Sequence, residues 1–263
     1  MTPYVAILSG RFRTLLQYRA AAFAGAGTQL FWGLIRMMIF DAFYRSSAAP
    51  QPISLSQTIT YIWLGQAMLG ILPWNVDPDV RGMIRTGSVA YELLRPLDLY
   101  ALWYSRAVAQ RTAPTLLRSI PIFIVAGTFF GLRAPASLFA LAAWILTTAG
   151  AILLSAAISS LLTISLLWTV SGEGVTRLVP GLVIALSGMI VPIQLFPEWS
   201  QPLVRALPFA QVVDTPFRAY LGTLGRSETA SAIVVQLAWT GVLVLFGRWL
   251  VARAARRLVV QGG

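Results

Sequence analysis

A predicted helix face near the start of the chain carries the polar side chains that could bind a ligand inside an apolar segment. Its members recur at spacings of three and four residues, as neighbours on one helix face do. They are Gly25, Gln29, Trp32 and Arg36. Because an ionisable residue inside a membrane segment is costly and usually functional, Arg36 is a candidate for binding an anionic group in a substrate path or at a subunit junction. The alternatives are a contact between helices and an Arg side chain that extends to the outer lipid head groups.

Residue types that are missing exclude most catalytic chemistry. Without Cys the chain has no disulfide, thiol nucleophile or thiolate metal site, and without His it has no Ser–His pair and no imidazole proton relay. All twenty basic residues are Arg, whereas a phosphate-binding P-loop requires a Lys. We therefore expect no enzyme activity, no metal site and no cofactor in this chain.

The composition indicates that the chain lies in a membrane. Hydrophobic residues make up 57% of it and charged residues only 11%, whereas about a quarter of the residues in soluble domains are charged. The apolar residues form six runs of the length that a helix needs to cross about 30 Å of hydrocarbon. The six runs are residues 20–43, 54–73, 114–132, 136–167, 174–195 and 229–251. These features predict an all-α, polytopic integral membrane protein with a single transmembrane domain over residues 1–263.

The positions of the Arg residues predict the orientation of the chain. The net charge is +11, and because the Arg residues lie between the apolar runs, they favour orientation in a membrane over binding of nucleic acid. With both termini in the cytoplasm, fourteen Arg residues lie inside, at positions 11, 13, 19, 81, 85, 95, 106, 111, 118, 177, 248, 253, 256 and 257. Five lie outside, at positions 45, 133, 205, 218 and 226, and the last is Arg36. This bias predicts cytoplasmic termini and an even number of spans.

Residues 1–19 are predicted to form an amphipathic helix at the membrane surface. Their apolar side chains share a broad face, opposite Ser9 and Arg13. Arg11 and Arg19 fall on the apolar face and would have to extend toward the head groups. The alternative is an irregular cytoplasmic tail.

The longest cytoplasmic stretch, about residues 74–113, opens with a predicted short helix. Asp77 suits the N-cap of this helix, Pro78 its first position and Gly87 its C-terminal cap. Its apolar side consists of Val80, Met83 and Ile84, and its charged side of Arg81 and Arg85. A capped helix at the cytoplasmic surface can be held by another protein, with the apolar side in a groove of that partner. The alternative is a surface helix that only ends a span.

Small residues recur along the fifth predicted span. Gly181, Ala185 and Gly188 would lie on one side of it, where they would allow another helix to approach closely, either in this chain or in a second subunit. After this span, four prolines within seventeen residues, from Pro192 to Pro208, predict short helices packed at the outer interface.

Carboxylates are missing from the depth of the predicted spans. A transporter driven by protons or sodium usually needs at least one. Their absence argues against a secondary transporter and indicates that another protein supplies the energy for transport.

The order of these elements resembles that of type-2 ATP-binding-cassette (ABC) exporter permeases. Both have an interfacial N-terminal helix, six spans, a long cytoplasmic loop after the second span and a broken outer segment before the sixth. The local motifs run from Ile84 to Gly87, from Leu93 to Leu97, from Ser187 to Pro192, and over Phe196 and Pro197. In these motifs the chain looks like the bacterial subgroup related to β-exotoxin and daunorubicin-type exporters.

The resemblance implies a permease subunit in the bacterial cytoplasmic membrane. It would pair with a second permease, identical or different, and with two cytoplasmic ATPase subunits that bind ATP and Mg²⁺. In that family the loop after the second span carries the coupling helix, which here falls on Asp77 to Arg85. The family's substrates include drugs, lipids, glycopolymers and peptides, and the motifs do not distinguish them. The alternative is a secondary transporter or another polytopic protein that works without an ATPase. A neighbouring gene for a soluble ATPase would favour the permease, and the absence of such a gene would favour the alternative.

The Arg bias predicts the outcome of reporter fusions. Alkaline phosphatase, which is active only outside the cytoplasm, should be active when fused after Arg45, Arg133 or Arg226, because these residues follow or precede spans on the predicted outer side. Green fluorescent protein fused at the same sites should be dark. Fluorescence at any of the three sites would contradict the predicted topology.

The missing Lys predicts the nucleotide behaviour of the isolated subunit. The purified chain should neither bind nor hydrolyse ATP, because it cannot build a P-loop. Isothermal titration with ATP and Mg²⁺ checks this, and stoichiometric binding would refute it.

Overall fold

The computed structural model describes residues 3–169 and 173–255, and the regular structure in these ranges is entirely helical. The all-α prediction is therefore confirmed. The helices are α1 (Pro3–Leu16), α2 (Arg19–Ser46), α3 (Leu55–Ala67), α4 (Pro78–Arg85), α5 (Val89–Leu93), α6 (Leu99–Phe129), α7 (Leu138–Ser165), α8 (Glu173–Leu186), α9 (Gln201–Ala206), α10 (Pro208–Val212), α11 (Asp214–Tyr220) and α12 (Arg226–Ala255). Short 3-10 helices follow α3 at Leu69–Ile71 and α8 at Ile193–Leu195. Of the Arg residues counted as cytoplasmic, Arg256 and Arg257 lie outside the described ranges.

Four helices in the described ranges are long and apolar enough to cross a membrane: α2, α6, α7 and α12. They correspond to four of the six predicted spans, although the ends differ. The third span was predicted to begin near Pro114, but α6 begins at Leu99, where the Asp98 carboxylate accepts a hydrogen bond from the Ala101 N–H at 2.7 Å. Pro114 and Pro121 lie inside this helix, as is tolerated where neighbouring groups satisfy the freed backbone.

The other two predicted spans are shorter helices followed by irregular chain. The second contains α3, of 13 residues, which begins with a capping box between Ser54 and Gln57. The fifth contains α8, of 14 residues, which ends at Leu186. The chain breaks there because Gly188 has a φ of +85°, and a Cβ at this position would lie 2.6 Å from the Tyr61 hydroxyl. A continuous fifth helix to residue 195 is therefore wrong.

Contacts at the two ends of the bundle identify where each segment lies. At one end, called the α4 end, Val80 packs among the first turns of α6 and the last turns of α7 and α12. At the other, called the Arg133 end, the Arg133 N–H donates to Thr60 Oγ1 at 3.3 Å and its carbonyl accepts from the Tyr220 hydroxyl at 2.8 Å. α3 therefore begins near the Arg133 end, and the chain that follows it reaches the α4 end.

α3 is an interior helix. The side chains of Tyr61, Trp63 and Leu64 are fully buried, and so are the polar side chains of Thr58 and Thr60. α2 packs against it so closely that a Cβ on Gly33 would overlap the Trp63 ring. Gly33 therefore permits the close approach of the two helices.

Arg111 of α6 fixes the irregular chain between α3 and α4. Its guanidinium donates to the Leu72 carbonyl at 2.6 Å, to the Asn75 carbonyl at 2.8 Å and to Ser159 Oγ at 2.9 Å. Neither carbonyl belongs to a helix, and buried backbone groups of this kind need a partner. The side chain supplies the hydrogen bonds that a helix would otherwise have made.

The proline-rich outer segment forms short helices, as predicted, but two of them lie inside the bundle. Phe217 of α11 and Val212 of α10 are buried in a cluster with α3 and α7. Gln236 of α12 is fully buried and donates to the Gln211 carbonyl at 2.8 Å and the Thr147 carbonyl at 2.9 Å. The segment was predicted to lie at the interface because its prolines rule out a span. Its apolar residues are nevertheless buried inside the bundle.

Candidate functional site

An apolar groove along α2, called the α2 groove, brings the predicted polar stripe together. It has a volume of about 580 Å³. Its lining comprises Gly25, Thr28, Gln29, Trp32, Ile35, Arg36, Ile39, Gln66, Leu69, Trp74, Arg118, Ile184, Met189 and Ile190. The stripe residues therefore face a cavity between α2, α6 and the end of α8, in addition to neighbouring helices.

Arg36 makes a contact between helices across this groove. Its Nη2 donates to the Met189 carbonyl at 2.6 Å and to the Ile190 carbonyl at 2.5 Å. Both carbonyls directly follow the break at Gly188, where the C-terminal end of a helix favours a positive charge. Of the alternatives left open for this residue, the geometry favours the interhelical contact, because the guanidinium is held by backbone.

Gln29 and Arg118 also line the groove. Both have buried polar atoms that lack a hydrogen-bond partner among the described residues. Gln29 is 3% exposed, and neither its Oε1 nor its Nε2 has a hydrogen-bond partner among the described residues. Arg118 lies against Gly25, where a Cβ would be 2.9 Å from its Cζ. Arg118 was not identified as a site residue, although it falls within the predicted span 114–132 and meets the same criterion as Arg36.

Four charged residues tie α4 to the rest of the bundle; they are called the α4 clamp. They are Arg11, Asp77, Asp79 and Arg106. Arg106 of α6 contacts Asp77 and Asp79 at 2.7 Å each, and Arg11 of α1 lies 3.0 Å from Asp79 and 3.5 Å from Asp77. Arg11 was predicted to extend toward the lipid head groups. It instead forms ion pairs within the protein.

Asp77 has two functions within the clamp. It is the N-cap of α4, where its Oδ1 accepts from the Asp79 N–H at 3.0 Å, and it is 6% exposed. The predicted helix is confirmed, with Pro78 at its first position and Gly87, at a φ of +75°, just after its end. The capping residue is thus also the residue that anchors the helix.

The apolar side of α4 faces its own bundle. Val80 is fully buried, and Met83 and Ile84 are half-buried against the same cluster. The prediction that Val80 fills a groove on a partner is therefore wrong, because α6, α7 and α12 already cover it. The exposed side carries Arg81 and Arg85.

A polar cleft lies beside this exposed side. It has a volume of about 370 Å³ and is lined by Trp74, Asn75, Val76, Pro78, Arg81, Thr176 and Arg177. The cleft separates α4 from the start of α8, so a partner that contacts Arg81 also reaches a second helix.

The small residues of the fifth predicted span are split by the break in the chain. Gly181 and Ala185 lie on α8 and are exposed, with no described atom within 4 Å of a Cβ built on Gly181. Gly188 is buried beyond the end of the helix. It therefore does not share a helix face with the other two.

Asp214, in the outer segment, is a buried acid that the sequence analysis did not identify. It is 1% exposed, accepts a hydrogen bond from the Tyr61 hydroxyl at 3.2 Å and lies 3.6 Å from Arg205 Nε. Its N–H also donates to the Ser187 carbonyl at 3.2 Å. These contacts join α3, α11 and the end of α8, which is a structural role. In the described residues no cluster of His, Cys, Asp or Glu is placed to hold a metal ion.

Over most of its length the chain is similar to a known transporter family. Residues 30–262 match the family described as ABC-2 family transporter protein. The match begins within α2 and extends past the end of α12, so it includes the α2 groove from Trp32 onward and all of α4. No curated protein is significantly similar to the chain.

The unsatisfied amide of Gln29 predicts that its loss stabilises the protein. Gln29→Leu should raise the free energy of unfolding by about 1–3 kcal/mol, because it removes a buried polar group that has no partner. Thermal unfolding in detergent, followed by circular dichroism, measures the change.

Gln236→Leu is the matched control. The same substitution there removes two hydrogen bonds to backbone carbonyls, so it should lower the stability by about 1 kcal/mol or more. Equal destabilisation by both substitutions would show that the Gln29 amide has a partner after all.

Proposed function

Because the chain belongs to the ABC-2 family of transporter proteins, we propose that it is the permease subunit of an exporter whose ATPase subunits hold it at α4. It is a multi-pass membrane component of a transporter and has no ATPase domain. The observation that carries the proposal is the α4 clamp. A helix of eight residues is held rigidly at its N-terminus, while its charged side remains free for a partner.

The clamp supports coupling because it connects α4 to long elements of the bundle. Arg106 belongs to α6, a helix of 31 residues, which is about 46 Å long. Arg11 belongs to α1. A displacement of α4 by an ATPase would therefore move α1 and α6 with it. On this basis Asp77 acts as the anchor of α4. The apolar side chains of Val80, Met83 and Ile84 fix the helix to the bundle. The exposed side chains of Arg81 and Arg85 meet the ATPase.

We further propose six crossings with both termini in the cytoplasm. α3 and its 3-10 helix extend for about 25 Å, less than the hydrocarbon thickness of about 30 Å. Irregular chain would complete the crossing, which is tolerated where protein buries it. The hydrogen bonds of Arg111 to this chain, and the contacts of α3 near the Arg133 end, support the crossing. The α4 end, with its excess of Arg, would be cytoplasmic.

A second permease subunit would complete the transporter. Gly181 and Ala185 present a small, exposed surface on α8 that has no partner in the described residues, which supports a contact with that subunit. α1 would lie at the inner interface of a bacterial cytoplasmic membrane, where its exposed side meets lipid. The motifs around Gly87 and Pro192 support the subgroup related to β-exotoxin and daunorubicin-type exporters.

A secondary transporter is the second candidate, and Asp214 is the observation that favours it. This residue lies outside the four long helices, and burial raises the pKa of its carboxyl, as a proton carrier requires. However, Tyr61 and Arg205 surround the carboxylate, and it is not part of the lining of the α2 groove. The contacts of Asp214 therefore favour a structural role.

Charge reversal on the exposed side of α4 tests the proposal. The double substitution Arg81→Glu, Arg85→Glu should reduce co-purification of the ATPase subunits at least about tenfold. The new Glu side chains would meet the acidic groups of the ATPase that Arg81 and Arg85 are proposed to pair with, and like charges at a contact cost several kcal/mol. Insertion and thermal stability should stay unchanged, since both side chains are exposed. The measurement is the ratio of ATPase to permease in membranes solubilised in mild detergent.

Two controls make the outcome decisive. Arg13→Glu reverses a charge on the exposed side of α1 and should leave assembly unchanged. Val80→Asp places an unpaired carboxylate in the bundle and should prevent folding rather than assembly. If the ATPase subunits bind the double variant as well as the wild type, α4 is not the helix that they hold.

A further inference from the structure

We infer that the α2 groove binds an anionic amphiphile, a molecule with one acidic head group and a hydrocarbon chain. The head group would bind between Arg118 and Gln29, and the chain would lie along the groove toward Arg36. The inference rests on the proposed transport function, because it names the chemical class of the substrate.

Arg118 is the first reason. Among the described residues it has no ion pair and no hydrogen bond, and its Nε is buried. A guanidinium inside an apolar bundle is costly without a counter-charge. The groove lining contains no Asp or Glu, so the protein does not supply the counter-charge from that surface. Arg36, the other cation of the groove, already donates to two carbonyls.

The position of Gln29 is the second reason. It lies four residues after Gly25 on the same face of α2, and Gly25 is in contact with the Arg118 guanidinium. The residue is 97% buried and lines the groove, and its amide has no partner in the part of the chain that the structure describes. An amide donor beside a free guanidinium offers the convergent N–H groups that a carboxylate or phosphate accepts.

The rest of the groove is apolar and elongated. From Gly25 to Ile39 it follows fourteen residues of α2, which is about 21 Å. Trp32 and Ile39 are 55% and 59% exposed, and Ile190 faces them from the end of α8. A volume of about 580 Å³ is within the range of small-molecule sites. The guanidinium of Arg36, near the other end, already donates to two carbonyls, so only the Arg118 end offers an unpaired charge. That end and the long apolar wall beside it match an amphiphile better than a compact polar solute.

The opening of the groove indicates how such a molecule enters. Two exposed apolar side chains of α2, those of Trp32 and Ile39, line the groove, and in a membrane they would face hydrocarbon. The amphiphile would therefore enter sideways from the bilayer, with its head group at the depth of Arg118. No step through an aqueous pore is needed to fill the site.

Photo-labelling of the full-length permease tests this inference. The purified protein is placed in nanodiscs of phosphatidylcholine, which has no net charge, and illuminated with palmitate that carries a diazirine at the end of its chain. Cross-links should map by mass spectrometry to α2 and to residues 184–190, and unlabelled palmitate should compete. The methyl ester of the probe, which has no charge, should label these peptides at least about tenfold less at equal concentration.

Substitutions at the head-group end provide the controls. Arg118→Gln should raise the palmitate concentration needed for competition at least about tenfold, the equivalent of about 1.4 kcal/mol, and Arg118→Lys should restore most of the affinity. Gln29→Leu should weaken binding while keeping the protein folded. Arg253→Gln, which removes an Arg at the far end of α12, should have no effect. Gel filtration and thermal unfolding confirm that each variant is folded.

Three outcomes would overturn the inference. The first is equal labelling by the acid and the ester, and the second is undiminished binding by Arg118→Gln. The third is an unlabelled groove whose α2 residues become linked to a second copy of the chain when a bifunctional cross-linking reagent replaces the probe, since the groove would then be a subunit interface. Because no ATPase takes part, these outcomes leave the proposed role of α4 intact, and failure of ATPase assembly would leave the binding result intact.

Discussion

The fold depends on satisfying backbone carbonyls at the points where helices break inside an apolar bundle. Hydrocarbon offers no donor to such groups, so a break is possible only where the protein supplies one. Arg111 supplies it after α3, through Leu72 and Asn75, and Arg36 supplies it after α8, through Met189 and Ile190. A guanidinium suits this task because its planar donors reach two carbonyls at once. The irregular chain after α3 and after α8 is therefore held by two side chains on long helices.

The same residue type organises the surface at the α4 end. There the acceptors are carboxylates, and Arg11 and Arg106 meet Asp77 and Asp79. Exposed pairs of this kind contribute little to stability, but Asp77 is buried and held from two sides. Its network therefore determines where α4 sits rather than whether the bundle folds. Arg118 is different, because it has the same chemistry and no acceptor among the described residues, and this contrast supports the proposed ligand.

Much of this architecture could be predicted from the sequence, and the errors have physical causes. Apolar run lengths predicted the long helices, and the cap residues of α4 predicted its bounds almost to the residue. The start of α6 was missed because Pro114 resembles a helix start, whereas the Asp98 cap lies sixteen residues earlier on a less apolar turn. The break at Gly188 was missed because a lone Gly in an apolar run reads as a packing residue.

The candidate site was harder to predict than the fold. The stripe on α2 follows from helical periodicity alone, and the structure places all of it along one groove. The contributions of Arg118, Met189 and Ile190 come from other helices, and periodicity within one segment contains no information about them. Similarly, the amphipathic pattern of α4 was correct, but it did not reveal that the apolar side faces this chain's own helices.

The double use of Asp77 has a mechanical consequence. One carboxylate both starts the helical turn of α4 and receives the guanidinium groups that fasten it. Replacement of Asp77 alone would therefore remove the N-cap of α4 and its ion pairs with Arg11 and Arg106 at the same time. Under the proposed function, α4 would then lose its helical first turn and its connection to α1 and α6 in a single step.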